Sequence, residues 1–187
     1  TRKNRKSDTM QKARMIFESY NKVIAGSYER CFLKNINDGT IKELRYNEEK
    51  LKQCLEEDVK QWENKPVNGL GRLTPAGFFE EICDMNYAIE VFKLGSVLCD
   101  KDLPELFIDK LKTLGDETVC ALKVLACIKP FGANSEDDIL IAVSAVKVLG
   151  KLKPAGVASY LVEMLKNMDG PEEIYVEAVK DALIDIG

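Results

Sequence analysis

Ala121 to Gly132 reads ALKVLACIKPFG, and Ala145 to Gly156 reads AVKVLGKLKPAG; the two align without gaps and share seven of twelve residues. Each is rich in small and aliphatic residues, and each is stopped by Lys-Pro and Gly, because proline cannot continue the helical hydrogen-bond ladder. The duplication therefore predicts two helices of one kind. A weaker copy is EAVKDALIDIG at the end of the chain, with Ala178, Ala182 and Leu183 in equivalent places, and another is Phe92-Lys93-Leu94-Gly95. Taking Leu94, Leu125, Leu149 and Leu183 as equivalent gives spacings of 31, 24 and 34 residues, the range of repeat architectures.

Working outward, a further helix precedes two of these copies: LPELFIDKLKTL from Leu103 and AGVASYLVEMLKNM from Ala155. The repeating unit is thus a helix pair that stacks on the next. Ala142, Ser144 and Ala145 allow close approach of neighbouring helices, while Ile139, Val143, Val146 and Leu149 fill the space between them. Pro104, Leu106 and Leu111 in a first helix, followed by Asp138, Ile141, Ser144, Ala145, Val148, Leu149 and Gly150 in a second, resemble the HEAT-type, armadillo-like helical repeat. The resemblance covers about Tyr87 to Gly187; the family's arginine is replaced by Cys120 or Ala142, and the 24-residue spacing leaves no room for a full first helix between Pro130 and Asp138. It implies an all-α, right-handed solenoid (a HEAT/ARM-like superhelix) that presents a concave face to a protein partner.

The 187 residues are 45% hydrophobic and 31% charged, the balance of one globular domain or of a domain with a subdomain. The first 70 residues lie outside the repeat. TRKNRKSDTMQKAR carries six basic side chains and one acidic, so residues 1–12 read as a basic flexible tail. An N-terminal helical segment, 13–65, follows. Ile16, Phe17, Tyr20, Val23, Ile24, Tyr28 and Cys31 recur at helical spacing from Ala13, which predicts one helix of about twenty residues. Asn37-Asp38-Gly39 breaks it. A second helix starts at the Asn47 cap and turns Leu51, Leu55, Val59 and Trp62 inward. Lys65 to Gly71 packs one proline and two glycines into a turn, the expected boundary, and Thr74-Pro75 begins the repeat region, 74–187, as cap and first-turn proline.

Composition excludes more chemistry than it assigns. There is no histidine, which removes imidazole acid/base catalysis, Ser/His/Asp and Cys/His triads, and His-ligated zinc. Neither GxGxxG nor GxxxxGK[ST] occurs, so nucleotide chemistry has no phosphate loop. Glu80-Glu81 reads as a solvated helix surface, and Glu136-Asp137-Asp138 as a helix N-terminus. Six cysteines, at 31, 54, 83, 99, 120 and 127, show no Cys-x-x-Cys pair. Cys120 and Cys127 are seven apart and share a helical face; the spacing suits a redox pair, half a metal site, or two small apolar core residues, of which the core reading is preferred. No catalytic, cofactor-binding or metal-binding residue is expected, and no cofactor.

Charge is divided unevenly. All six arginines lie at or before Arg72, and residues 135–187 hold five lysines against ten acids. The favoured function is a non-catalytic protein-interaction scaffold. The alternatives are a nucleic-acid-binding or base-excising repeat protein, which that acidic half disfavours, and a lyase or chaperone for a prosthetic group, which needs an aromatic pocket near Trp62, Phe131 or Tyr175. A cytoplasmic protein without a membrane segment is expected. The last helix, with Ile174, Val176, Val179, Ala182, Leu183 and Ile186, has more than one apolar face, so it is expected either to self-associate or to be covered by chain beyond Gly187.

Overall fold

A computed structural model describes residues 2–37, 48–100, 102–127, 135–167 and 173–187, without the side chains of 2–6 and 32–37. Among these residues every regular element is an α-helix. The chain divides into two compact units, Thr1–Glu81 and Ile82–Gly187.

In the first unit α1 (Arg2–Asn37) packs along α2 (Glu48–Glu63), and the short α3 (Pro75–Glu80) joins them. α1 is longer than its apolar periodicity predicts. Residues 2–12, expected as a tail, are helical. They contain neither Gly nor Pro, five of the eleven are Lys or Arg, which lose little side-chain freedom in a helix, and the buried Ala13, Ile16 and Phe17 anchor the next turns. Phe17 meets Phe79 of α3 with ring centroids 6.1 Å apart, and Tyr20 meets Trp62 of α2 at 5.1 Å. The Asp38-Gly39 turn and the Asn47 cap lie outside the described residues.

The turn after α2 is folded tightly on itself: the Val67 amide donates to the Leu73 carbonyl at 3.0 Å, and Gly69 takes a φ of +87° that other residues rarely adopt. Thr74 then caps α3 by accepting from the Gly77 amide at 3.1 Å, with Pro75 in the first turn. This turn was expected to divide the chain. It lies instead inside the first unit, because Phe78 and Phe79 of α3 are buried there and the division falls after Glu81.

The second unit contains α4 (Met85–Leu98), α5 (Glu105–Thr113), α6 (Asp116–Ala126), α7 (Glu136–Leu152), α8 (Val157–Lys166) and α9 (Glu173–Ile186). α7 is its centre: it packs on α4, α5, α6, α8 and α9, most extensively on α9 and α6. Ala142, Val143, Ala145, Val146, Val148, Leu149 and Gly150 are all buried, more than the single stripe of a surface helix. Its start is fixed by a capping box, in which the Asp138 amide donates to Ser135 Oγ at 3.2 Å and the Ser135 amide donates to Asp138 Oδ2 at 3.1 Å. Glu136, Asp137 and Asp138 thus occupy the first turn, as their charge predicts.

The described helical parts of the duplicated stretches, Ala121–Ala126 of α6 and Ala145–Leu152 of α7, are not equally buried. Leu122 of α6 and its counterpart Val146 of α7 are fully buried, whereas Val124 is 72% exposed and its counterpart Val148 is 2% exposed. α7 is covered from several sides, so residues that match in sequence meet different neighbours. α7 comes close to α9 at Gly150, where a side-chain Cβ would stand 2.7 Å from Ala182 Cβ and 2.8 Å from Ala182 Cα.

α6 buries Thr118, Leu122 and Ala126, spaced four apart. That spacing corrects the reading of the two cysteines as core residues. Cys120 falls off the buried stripe and Cys127 follows the last helical residue, and both are exposed. Among the described residues no helix is long and apolar enough to cross a membrane.

Candidate functional site

Among the described residues, each unit has a hollow lined by its own helices. In the first unit a groove of about 630 Å³ runs along α1 and α2 and reaches the Lys65–Asn68 turn. Its centre is polar. Asp58 of α2 accepts a hydrogen bond from Ser27 Oγ and pairs with the Arg30 guanidinium, both on α1. Ser27 is itself buried, and the Val23 carbonyl 2.9 Å away is a second acceptor for its hydroxyl. Further along, Trp62 Nε1 donates to Ser19 Oγ at 2.8 Å, and Ser19 Oγ donates to the Ile16 carbonyl at 2.7 Å. These bonds tie the two helices together through polar groups that would be costly to leave unpaired in a part-buried seam. Trp62, named as a pocket aromatic, lines this groove but is buried by packing against Tyr20.

In the second unit a smaller hollow of about 140 Å³ lies among α4, the segment before α5, α5, α7 and α9. Its apolar wall includes Ile108, Val143, Leu140 and Ile174, the last two 36% and 53% exposed. Its rim is charged. Lys147 reaches Asp102 at 2.8 Å, and Lys151 pairs with Glu105. Cys99 lies at the same hollow, at the end of α4. Burial pushes its thiol up to about 12, and the adjacent Asp100 carboxylate adds to the shift. A thiol so disfavoured from ionising is a poor nucleophile near neutral pH.

At the far end of α6 a third group of side chains converges. Tyr160 of α8 donates its hydroxyl to the Lys123 carbonyl at 2.6 Å, and Tyr175 of α9 donates to the Ala126 carbonyl at 2.6 Å. Two carbonyls of the last turn of α6, those of Lys123 and Ala126, are thereby satisfied by phenols from two other helices. Cys127 Sγ lies 3.0 Å from Tyr160 Oη and 3.9 Å from Met164 Sδ. Burial, first, and the neighbouring Cys127 push both phenols above their usual range. The Lys123 ammonium sits 5.3 Å from the centre of the Tyr160 ring.

None of these groupings follows from residue spacing. In the sequence Cys127 stands out only for its separation from Cys120, and the structure separates the two by surroundings, giving Cys127 partners from α8. Tyr160 and Met164 are four apart and share a face of α8, which was legible; that the face meets Cys127 was not. Tyr175 is fully buried rather than lining an open aromatic pocket. Phe131 and Pro130 lie outside the described residues. Among the described residues no group of three or more Cys, Asp and Glu side chains is placed to hold a metal ion.

Comparison with protein-family models, with curated proteins and with solved structures finds no match for this chain.

Proposed function

We propose that the second unit is a non-catalytic protein-interaction module whose helix pairs stack in the HEAT manner, with α7 and α9 presenting the face that meets the partner. The observation that carries this reading is the exposure of Leu140 and Ile174 at one hollow. Both are large apolar side chains left partly in water beside a hollow with an apolar wall and a charged rim, although α7 and α9 make the most extensive contact in the unit. An exposed apolar pair over such a hollow supplies the water-excluding centre of an interface, and the Lys147–Asp102 and Lys151–Glu105 pairs supply its polar edge.

Charge narrows the partner. Residues 82–187 contain eighteen acids and eleven lysines, while residues 1–81 contain thirteen acids and sixteen basic residues. A partner segment with an apolar anchor flanked by basic residues matches the second unit, and electrostatics of this sign speeds encounter. The same count disfavours nucleic acid on the second unit and leaves the first, with its basic start of α1, as the place where phosphate contact would occur.

The test is a photo-crosslinking amino acid at Ile174, with a second placement at the exposed Glu117 of α6 as control. Crosslinking in native lysate is expected to join a defined protein segment rich in Lys or Arg to position 174 and not to position 117. A Leu140→Asp variant should reduce the product about tenfold. Equal labelling from the two positions, or yield unchanged by Leu140→Asp, refutes the reading.

A further inference from the structure

The side chains at the end of α6 are chemically unlike the rest of the molecule. Cys127 Sγ and Met164 Sδ are 3.9 Å apart, one from the residue that ends α6 and one from α8. Each sulfur is held in place. Tyr160 Oη lies 3.0 Å from the thiol and Tyr175 Oη lies 3.3 Å from the thioether, and both phenols are fixed by bonds to α6 carbonyls. The thiol proton has a further acceptor in the Lys123 carbonyl at 3.4 Å.

We propose that Cys127 and Met164 form a two-sulfur site for a soft monovalent metal ion, copper(I) in a reducing environment. Geometry, charge and ligand type each support it. With metal–sulfur bonds of about 2.3 Å, two sulfurs 3.9 Å apart subtend about 116° at the metal, close to the angle of a three-coordinate ion. Thiolate and thioether are the ligands that select copper(I) over harder ions. Binding breaks the Cys127 S–H bond and forms an S–Cu bond; the proton leaves to solvent, and neither metal nor sulfur changes oxidation state. One thiolate with one neutral thioether then balances a single positive charge, which a divalent ion would exceed. Cys127 stands at the C-terminal end of α6, where the helix dipole favours a cation. The third position is left to an exogenous ligand.

Bulk stoichiometry does not isolate this site, since the chain carries five further cysteines whose thiols compete for the ion. The Met164 methyl group does. The reduced full-length protein, carrying carbon-13 methyl methionine, is titrated under argon with copper(I) acetonitrile complex until all thiols are saturated. The Met164 signal is assigned by its loss in Met164→Leu. It is expected to shift on titration of the parent protein and to stay in place in Cys127→Ser, a variant at an exposed position that leaves the helical circular dichroism unchanged. A Met164 signal that never moves in the parent protein overturns the proposal, as does one that moves equally in Cys127→Ser.

Discussion

Replacing Gly150 by Ala tests the contact on which the second unit turns. In an isolated helix the change is favourable by about 0.5–1 kcal/mol, because glycine loses more backbone freedom on folding. Here the new Cβ would stand 2.7 Å from Ala182 Cβ, 2.8 Å from Ala182 Cα and 3.3 Å from the Ala182 carbonyl oxygen. Carbon atoms pack best at about 3.5–4.0 Å, so α7 and α9 must part by most of an ångström along their most extensive contact. Overpacking of this kind costs about 1–3 kcal/mol, and two of the three obstructing atoms are backbone, which no rotamer can move aside. The net expectation is a loss of about 1–2 kcal/mol, or a melting temperature lower by about 2–8 °C.

Gly26 of α1 provides the opposite case within one molecule. A Cβ there meets nothing within 4 Å, so Gly26→Ala should raise stability by about 0.5–1 kcal/mol through the same backbone term. Adding Ala182→Gly to Gly150→Ala removes the Cβ–Cβ overlap but leaves the Cα at 2.8 Å, so rescue should be partial. Urea unfolding followed by far-ultraviolet circular dichroism measures all four proteins. If Gly150→Ala is as stabilising as Gly26→Ala, the close approach of α7 and α9 does not exist.

Three other outcomes are expected. Thr118 is fully buried on α6 and its Oγ1 has no hydrogen-bond partner among the described residues, so the near-isosteric Thr118→Val should stabilise by about 1 kcal/mol, read as a higher urea midpoint. Lys153 ends α7 in the left-handed region at φ 50°, ψ 45°, so Lys153→Gly should gain up to about 1 kcal/mol in the same assay after glycine's greater freedom in the unfolded chain is subtracted. Because folding raises the Cys99 thiol from 9.0 to about 12, the unfolded chain releases that proton first, and stability should fall as pH rises from about 9 to about 12; Cys99→Ala should flatten that fall between urea midpoints at pH 8.5 and 10.5. The raised Tyr160 and Tyr175 phenols act in the same direction at the upper end of that range.

Helices were legible wherever periodicity and punctuation agreed. The Thr74-Pro75 start, the acidic first turn of α7 and the inward Trp62 all follow from residue type and spacing alone. Less legible was anything that depended on which helix lies beside which. ALKVL and AVKVL are nearly the same string, yet Val124 faces water and Val148 does not, because covering α7 from several sides is a property of the other five helices rather than of the repeat. The same limit explains the cysteines. A separation of seven puts two residues on one face only while the helix lasts, and α6 ends at Ala126, one residue before Cys127. Past that end the chain's direction, not the helical period, decides what Cys127 touches, and it brings the thiol to Tyr160 and Met164. A residue just beyond a helix end is thus where spacing arguments lose their force and where side chains from separate helices can meet around unsatisfied carbonyls. It is for this reason that the group of side chains with the most distinctive chemistry in the molecule lies at a position the repeat pattern treats as ordinary.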